Sequence, residues 1–356
     1  MDKSGIKMTD LNRSNNSSLT SLETTNTLKG VAILTVLINH YLNFNVSGDY
    51  LGFANLWVSI FFIVSGYGIY LSLERKFIEG CTFRGVLIFY YHRFVRVFPL
   101  LWLALLLWNL LGNSKVSIWM ILGIHGEGLF WFIPALLQCY LISIFIFYKL
   151  TKDPKIFTII LTIIVFLLNI LAAYKQIPEY VTEFLVFTNA NYRGVFLLNI
   201  LLFSFGMQLS HYFSSNPTCL PRSKTSKQGA FFFLLILIIL ICIAFAKYFL
   251  PTSLSFYFQI VPLLLIGLLC FYSFRSHVKN SLLAYFGSIS YSLYLFHGVF
   301  YLFVARLDQF QKNSITGLSW TIILFPIFIF SCTKIEETTS FLGKKLVSKI
   351  NYLGGE

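Results

Sequence analysis

Charge is what this sequence has least of. Only 12% of its 356 residues are Asp, Glu, Lys or Arg, against about 25% in an ordinary soluble domain. Water is therefore not the main solvent of the folded chain. Cysteine is also scarce in any useful pattern: Cys81, Cys139, Cys219, Cys242, Cys270 and Cys332 never form a CxxC pair, and most lie in apolar segments. That argues against a metal site or a disulfide framework. A cleavable signal peptide is not expected, because the first 27 residues are polar and rich in Ser, Thr and Asn, the composition of a disordered tail. Long polar loops and internal repeats are missing too. Without such a loop there is no room for an extracytoplasmic enzyme domain, so any chemistry must lie within the helices.

What fills the chain is apolar. Hydrophobic residues make up 57% and the mean hydropathy is +0.74. Stretches such as 156–173, 230–250, 256–274 and 318–333 are nearly free of charge, and a membrane span needs roughly 17–25 such residues. The pattern predicts an all-α polytopic membrane protein, a bundle of about ten transmembrane helices. The spans fall near 28–45, 54–73, 97–112, 129–148, 156–173, 193–211, 230–249, 256–274, 282–304 and 317–333, with an amphipathic stretch over 82–96. The expected organisation is a polar cytoplasmic tail (1–27), a transmembrane domain (28–335) and a short cytoplasmic tail (336–356).

The net charge of +13 invites a nucleic-acid reading, but topology accounts for it. With both termini in the cytoplasm, 21 Lys and Arg fall on the inner side and 6 on the outer, as the positive-inside rule requires. The expected location is the plasma (inner) membrane; the partners include the lipid bilayer and no nucleic acid.

Within this apolar background a few polar residues stand out. His40, with Asn39 beside it, lies inside the first span, and Lys29 lies at that span's cytoplasmic start. Eleven residues separate Lys29 from His40, three turns and about 20°, so both share one helical face roughly 16 Å apart. A buried histidine bonded to a nearby carbonyl is the plain explanation; an intramembrane ionisable group marking a site is the other. His297 ends the run Ser290-Tyr291-Ser292-Leu293-Tyr294-Leu295-Phe296-His297, whose hydroxyls either line a polar cavity or bond between helices. Arg93 and Arg96 sit three apart on one face at the cytoplasmic interface. They are either anchors or a phosphate clamp, since guanidinium groups bind phosphate bidentately. Ser65-Gly66-Tyr67-Gly68 places small residues in the second span, for close helix approach or for a ligand chain. Phe130-Trp131-Phe132-Ile133-Pro134-Ala135 reads as the interfacial start of another span.

Taken in order, these blocks resemble the membrane acyltransferase-3 family, which includes bacterial O-acetyltransferases of surface polysaccharides. Lys29 to His40 is similar to the family's basic-residue, ten-spacer, histidine motif. Phe61-Phe62-Ile63-Val64-Ser65-Gly66-Tyr67 looks like its second-helix block, and Arg93-x-x-Arg96-Val97-x-Pro99 like its double-arginine block. Trp131-Phe132-Ile133-Pro134-Ala135-Leu136 and the run ending at His297 are similar to its later blocks. Leu136 and Leu137 stand where members with appended hydrolase domains often carry paired glutamates. The resemblance implies a ten-helix core and transfer of an acyl group, acetyl first, from acyl-CoA to a hydroxyl of a cell-surface polysaccharide or lipid-linked glycan. It implies His40 and Lys29 as catalytic, Arg93 and Arg96 as donor-binding, and Asn39, Ser65, Tyr67, Trp131, Tyr291, Tyr294 and His297 as lining the substrate cavity. Acetyl-CoA or another acyl-CoA is then a co-substrate, with no bound cofactor or metal. The rival expectation is a transporter or flippase of a lipid-linked glycan or acyl donor.

Overall fold

In a membrane no hydrophobic force draws helices together, because lipid is as apolar as the side chains. Packing and interhelical hydrogen bonds must do that work. The computed structural model describes residues 4–45, 51–77, 82–112, 115–126, 128–153, 195–216, 226–249, 260–307 and 315–353, with residues 156, 157, 159, 160 and 163. Among the described residues the regular elements are all helical. They are α1 (Ser4–Asn45), α2 (Leu51–Lys76), α3 (Phe83–Gly112), α4 (Ile118–Ile121), a 3-10 turn (Gly128–Phe130) and α5 (Phe132–Lys152). Then follow α6 (Val195–Ser215), α7 (Ser226–Phe249), α8 (Ile260–Ser276), α9 (Ser281–Ser288), α10 (Ser290–Leu307) and α11 (Ile315–Leu353).

Four segments are long and apolar enough to cross a membrane: Leu56–Lys76, Phe83–Gly112, Gly128–Lys152 and Ile315–Leu346. A fifth appears if Val261–Ser276 and Ser281–Ser288, bent by 113°, count as one, and Gly229–Cys242 is a shorter apolar helix. The protein is thus an all-helical membrane protein with four or five candidate spans among the described residues. Most of the expected fifth span, 156–173, lies outside those residues. The expected ninth span, 282–304, is divided between α9 and α10, and Ser290, Tyr291, Ser292, Tyr294 and His297 lower the hydropathy of α10.

Two boundaries differ from the sequence reading. The stretch expected as a disordered tail is helical from Ser4, continuous with the first span. Extending an existing helix avoids the cost of nucleation, so even a Ser- and Asn-rich segment can follow. The amphipathic stretch 82–96 and the third span form one helix, α3, with Pro99 inside it. Proline has no N–H, so Val95 loses its helical partner there.

The interior is built from α1, α2 and α10. Leu28, Ala32, Ile33 and Val36 of α1, Trp57, Ile60, Phe62 and Ile63 of α2, and Leu293 of α10 are buried. Helix α11 instead presents Ile322, Ile327 and Phe330 outward, each about three-fifths exposed at 63%, 60% and 62%. Such a surface belongs against lipid.

Contact between α2 and α6 is close enough to decide between the two readings of Gly66. A Cβ added there would lie 1.9 Å from the carbonyl oxygen of Phe203, so the glycine serves helix approach and leaves no room for a ligand chain. Gly68, by contrast, has nothing within 4 Å of such a Cβ. Gly66→Ala should therefore force the two backbones apart and cost about 1–3 kcal/mol or more. Gly68→Ala should be tolerated, with a small gain from helix propensity. Thermal unfolding of the detergent-solubilised variants checks the pair: a lowered Tm for the first only.

Helix α9 braces the start of α1. The side chain of Asn280 caps α9 by accepting from Leu283 N at 3.0 Å, and the Asn280 N–H donates to Thr27 Oγ1 at 3.2 Å. Lys279 pairs with Glu23. A Cβ on Gly30 would lie 1.9 Å from the Leu283 carbonyl oxygen. These contacts fix the backbone on both sides of Lys29.

Candidate functional site: a buried imidazole pair and nearby basic residues

His40 and His297 come from helices far apart in sequence and meet in the interior. The Nδ1 of His40 lies 2.6 Å from the Nε2 of His297. Their rings are tilted by only 8° with centroids 4.8 Å apart, which is the N···N distance plus about one ring radius at each end. The imidazoles therefore meet edge to edge, as an in-line N–H···N bond requires, and are not piled face on face. Both are buried, His40 at 7% exposure and His297 at 0%.

Hydrogen bonding assigns the proton on each ring of the neutral pair. The Nδ1 of His297 lies 2.6 Å from the carbonyl oxygen of Tyr294. A carbonyl only accepts, so that nitrogen carries a proton. The Nε2 of neutral His297 then carries a lone pair, and His40 Nδ1 must be the donor between the rings. The Nε2 of His40 is left with its lone pair free. A chain of two hydrogen bonds thus orients an imidazole and fixes its basic nitrogen, as a carboxylate does in a catalytic triad.

Three tyrosines on α10 hold that helix in place. Tyr291 Oη donates to the Val97 carbonyl at 2.9 Å, Tyr294 Oη to that of Leu129 at 2.5 Å, and Tyr301 Oη to that of Leu37 at 2.8 Å. These bonds run to α3, to the 3-10 turn and to α1 respectively. The hydroxyl stripe therefore ties helices together on every side of His297. Aromatic packing adds to this: the Phe132 ring lies 5.8 Å from that of Phe61, 5.0 Å from Phe62 and 5.1 Å from Tyr294. The second-helix block, the Trp131–Leu136 block and the run ending at His297 thus converge in one place.

The other end of the shared face of α1 is cationic. The charges that act on Lys29 are those of Arg96, Glu336 and Arg93. Arg93 lies over the rings of Phe89, at 5.2 Å, and Tyr140, at 5.8 Å. Its Nε is buried with no hydrogen-bond partner among the described residues, an N–H still able to take an anion. Arg96 is exposed. The double-arginine block of α3 and the start of α1 therefore lie near one another, with Lys29 about 16 Å along α1 from His40.

Not every sequence candidate joins these two centres. Asn39 is buried on α1 beside His40. Ser65 is half-buried. Tyr67 is turned to α8, its ring 3.9 Å from that of Phe274 and nearly parallel to it. Trp131 is buried at the start of α5, and the ring of Phe132 beside it packs against Tyr294. Sequence reasoning passed over Tyr301 and Glu336. Tyr301 is four residues past His297 and so on the same face, a spacing that could have flagged it. Glu336 could have been noticed as one of only 14 acidic residues at the end of an apolar run. Among the described residues no group of three or more His, Cys, Asp or Glu could hold a metal ion.

An all-helical membrane protein with a hydrogen-bonded imidazole pair inside it and basic residues of two helices nearby is a frame for group transfer, and comparison with known proteins says which kind. The acyltransferase domain family of the acyltransferase-3 type matches residues 24–335, nearly the whole chain, and the chain belongs to that family. It is a membrane acyltransferase. No curated protein and no solved structure matches it.

Proposed function

We propose that the protein moves an acyl group, acetyl first, from acyl-CoA to a hydroxyl of a cell-surface polysaccharide or lipid-linked glycan. The observation that carries this reading is the bond between His40 Nδ1 and His297 Nε2, because it leaves His40 Nε2 as a basic nitrogen. That nitrogen takes the proton of the acceptor hydroxyl as its oxygen attacks the thioester carbonyl. The C–S bond breaks, the C–O bond forms, and the proton returns to the departing thiolate. The same lone pair serves the other route, in which His40 first accepts the acyl group and then passes it on. Arg93 and Arg96 supply the positive charge that coenzyme A phosphates need, and Arg93 Nε supplies an uncommitted donor.

In this reading ten spans put both termini in the cytoplasm of a plasma (inner) membrane protein. The charge split supports that topology. The donor then binds at the cytoplasmic end of α1 and the glycan is reached from the outer side. C-terminal reporter fusions should read cytoplasmic; an external C-terminus would mean an odd number of spans.

Acyl analysis of surface glycan in a deletion strain tests the reaction itself. Loss of acylation with normal glycan export is expected; unchanged acylation with lost export would mean a transporter. Arg96→Lys tests the clamp. It keeps the charge, and hence the topology, but loses the bidentate fork. Donor KM should rise by about tenfold, the worth of one charge-assisted hydrogen bond, with protein level unchanged. A lysine that works as well as arginine would make Arg96 an anchor.

A further inference from the structure

Apolar packing does little to fix how far one helix slides along its neighbour in a membrane, whereas an interhelical hydrogen bond does so directly. One such bond between α1 and α10 joins His40 to His297, and another joins Tyr301 Oη to the Leu37 carbonyl at 2.8 Å. The two lie side by side. A helical side chain slants back toward its own N-terminus, so Tyr301 descends from one turn past His297 to the level of that ring. The Leu37 carbonyl points the other way along α1, toward the N–H four residues on, and so to the level of His40. Ring contacts agree with this: the Tyr301 ring stands edge-on to His297, with centroids 5.9 Å apart at 79°. Tyr301 and Leu37 are both buried, each 3% exposed. A carbonyl oxygen has two lone pairs, so Leu37 keeps its place in the helical ladder with or without the tyrosine. The hydroxyl is therefore not needed to satisfy the backbone.

We propose that Tyr301 is a positioning residue for acyl transfer: its bond to Leu37 and the edge of its ring hold the two imidazoles in register, and so keep His40 Nε2 aimed. The proposal rests on the reading of the imidazole pair as an oriented base. The tolerance is narrow. The paired nitrogens are 2.6 Å apart, and a separation of about 3.6 Å is no longer a hydrogen bond. A slip of about one ångström between α1 and α10 would therefore uncouple the rings. Tyr291 and Tyr294 send their hydroxyls to the Val97 and Leu129 carbonyls, on other parts of the structure. Tyr301 sends its own to the helix that carries His40.

The test uses membranes that carry the full-length protein and its native glycan, supplied with labelled acetyl-CoA. Tyr301→Phe keeps the ring and removes the hydroxyl, and Leu37 retains its helical partner, so the variant should fold. It should lower kcat by about three- to tenfold, the worth of one hydrogen bond, and leave the donor KM unchanged. Placed in His297→Ala it should lower kcat no further, because the pair it keeps in register is already broken. A tyrosine that merely held the bundle together would cost the same factor in both backgrounds. That result overturns the proposal, as does wild-type kcat in the single variant. Tyr301→Met, also without a hydroxyl, replaces the first variant if that fails to accumulate, with kcat lowered at least as far. Nitrogen NMR of histidine-labelled protein in detergent reads the rings themselves, with His40→Gln identifying the His40 signals. Wild type should show neutral His40 protonated on Nδ1, and Tyr301→Phe a mixture of both tautomers; an unmixed signal in the variant also overturns the proposal. Wild-type membranes that transfer no acetyl would instead overturn the reaction reading, and the part of Tyr301 in it, while the spectrum reports the hold on the rings separately.

Discussion

Membranes carrying His40→Ala should lose acyl transfer by about 10²–10⁴-fold if the imidazole acts as a general base, and by more if it carries the acyl group. The variant should still insert and fold. Removing the ring opens a small void and leaves His297 Nε2, otherwise 2.6 Å from its partner, without a donor. An unsatisfied buried acceptor costs about 1–3 kcal/mol, while Tyr301 still ties α10 to Leu37 one turn away. His40→Gln separates these effects, since its amide can donate to His297 but has no basic nitrogen. Glycan acylation is measured in membranes matched for protein level. Loss in both variants with normal expression is the expected result, and normal acylation in either would remove His40 from the mechanism.

The two centres were unequally legible before folding. Helical arithmetic placed Lys29 and His40 on one face because that relation is local, fixed by 3.6 residues per turn. The order of the five blocks pointed to the family because they were read together. What spacing could not supply was contact between blocks. His297 was a histidine among hydroxyls with two equal explanations, and nothing in its own helix says that it meets His40. The tyrosine stripe shows the same limit: Tyr291 and Tyr294 read as cavity wall or as interhelical bonds, and their partners are the Val97 and Leu129 carbonyls. Backbone acceptors carry no sequence signal. Tyr67 illustrates the converse, since a motif position can turn to packing, here against Phe274. Gly66 was legible as a small residue, but only the Phe203 carbonyl beside it shows which use applies. The span count was harder for a physical reason. The Ser, Tyr and His side chains of the site dilute the apolar character of α10, so the helix that carries His297 falls outside the four clear candidate spans.

His297→Ala is expected to cost nearly as much as the loss of His40, roughly 10²-fold in kcat, because the two rings work as one unit. With the Tyr294 carbonyl fixing the proton on Nδ1 of His297, only Nε2 of that ring can receive the His40 proton. Without that acceptor the His40 ring can turn or take the other tautomer, and its free nitrogen no longer points where the bond directs it. Losing tautomer control in this way is costly wherever a base is oriented by a partner. A residue that merely shaped a cavity would change KM more than kcat, and by a few-fold. His297→Gln supplies a carbonyl oxygen able to accept from His40 Nδ1, so it should recover part of the lost kcat. The double variant completes the cycle. Residues that act as a unit are not additive, so His40→Ala with His297→Ala should be no worse than His40→Ala alone. If the two losses multiply instead, the histidines act independently and the proton chain from the Tyr294 carbonyl to His40 Nε2 is not the device that sets the base.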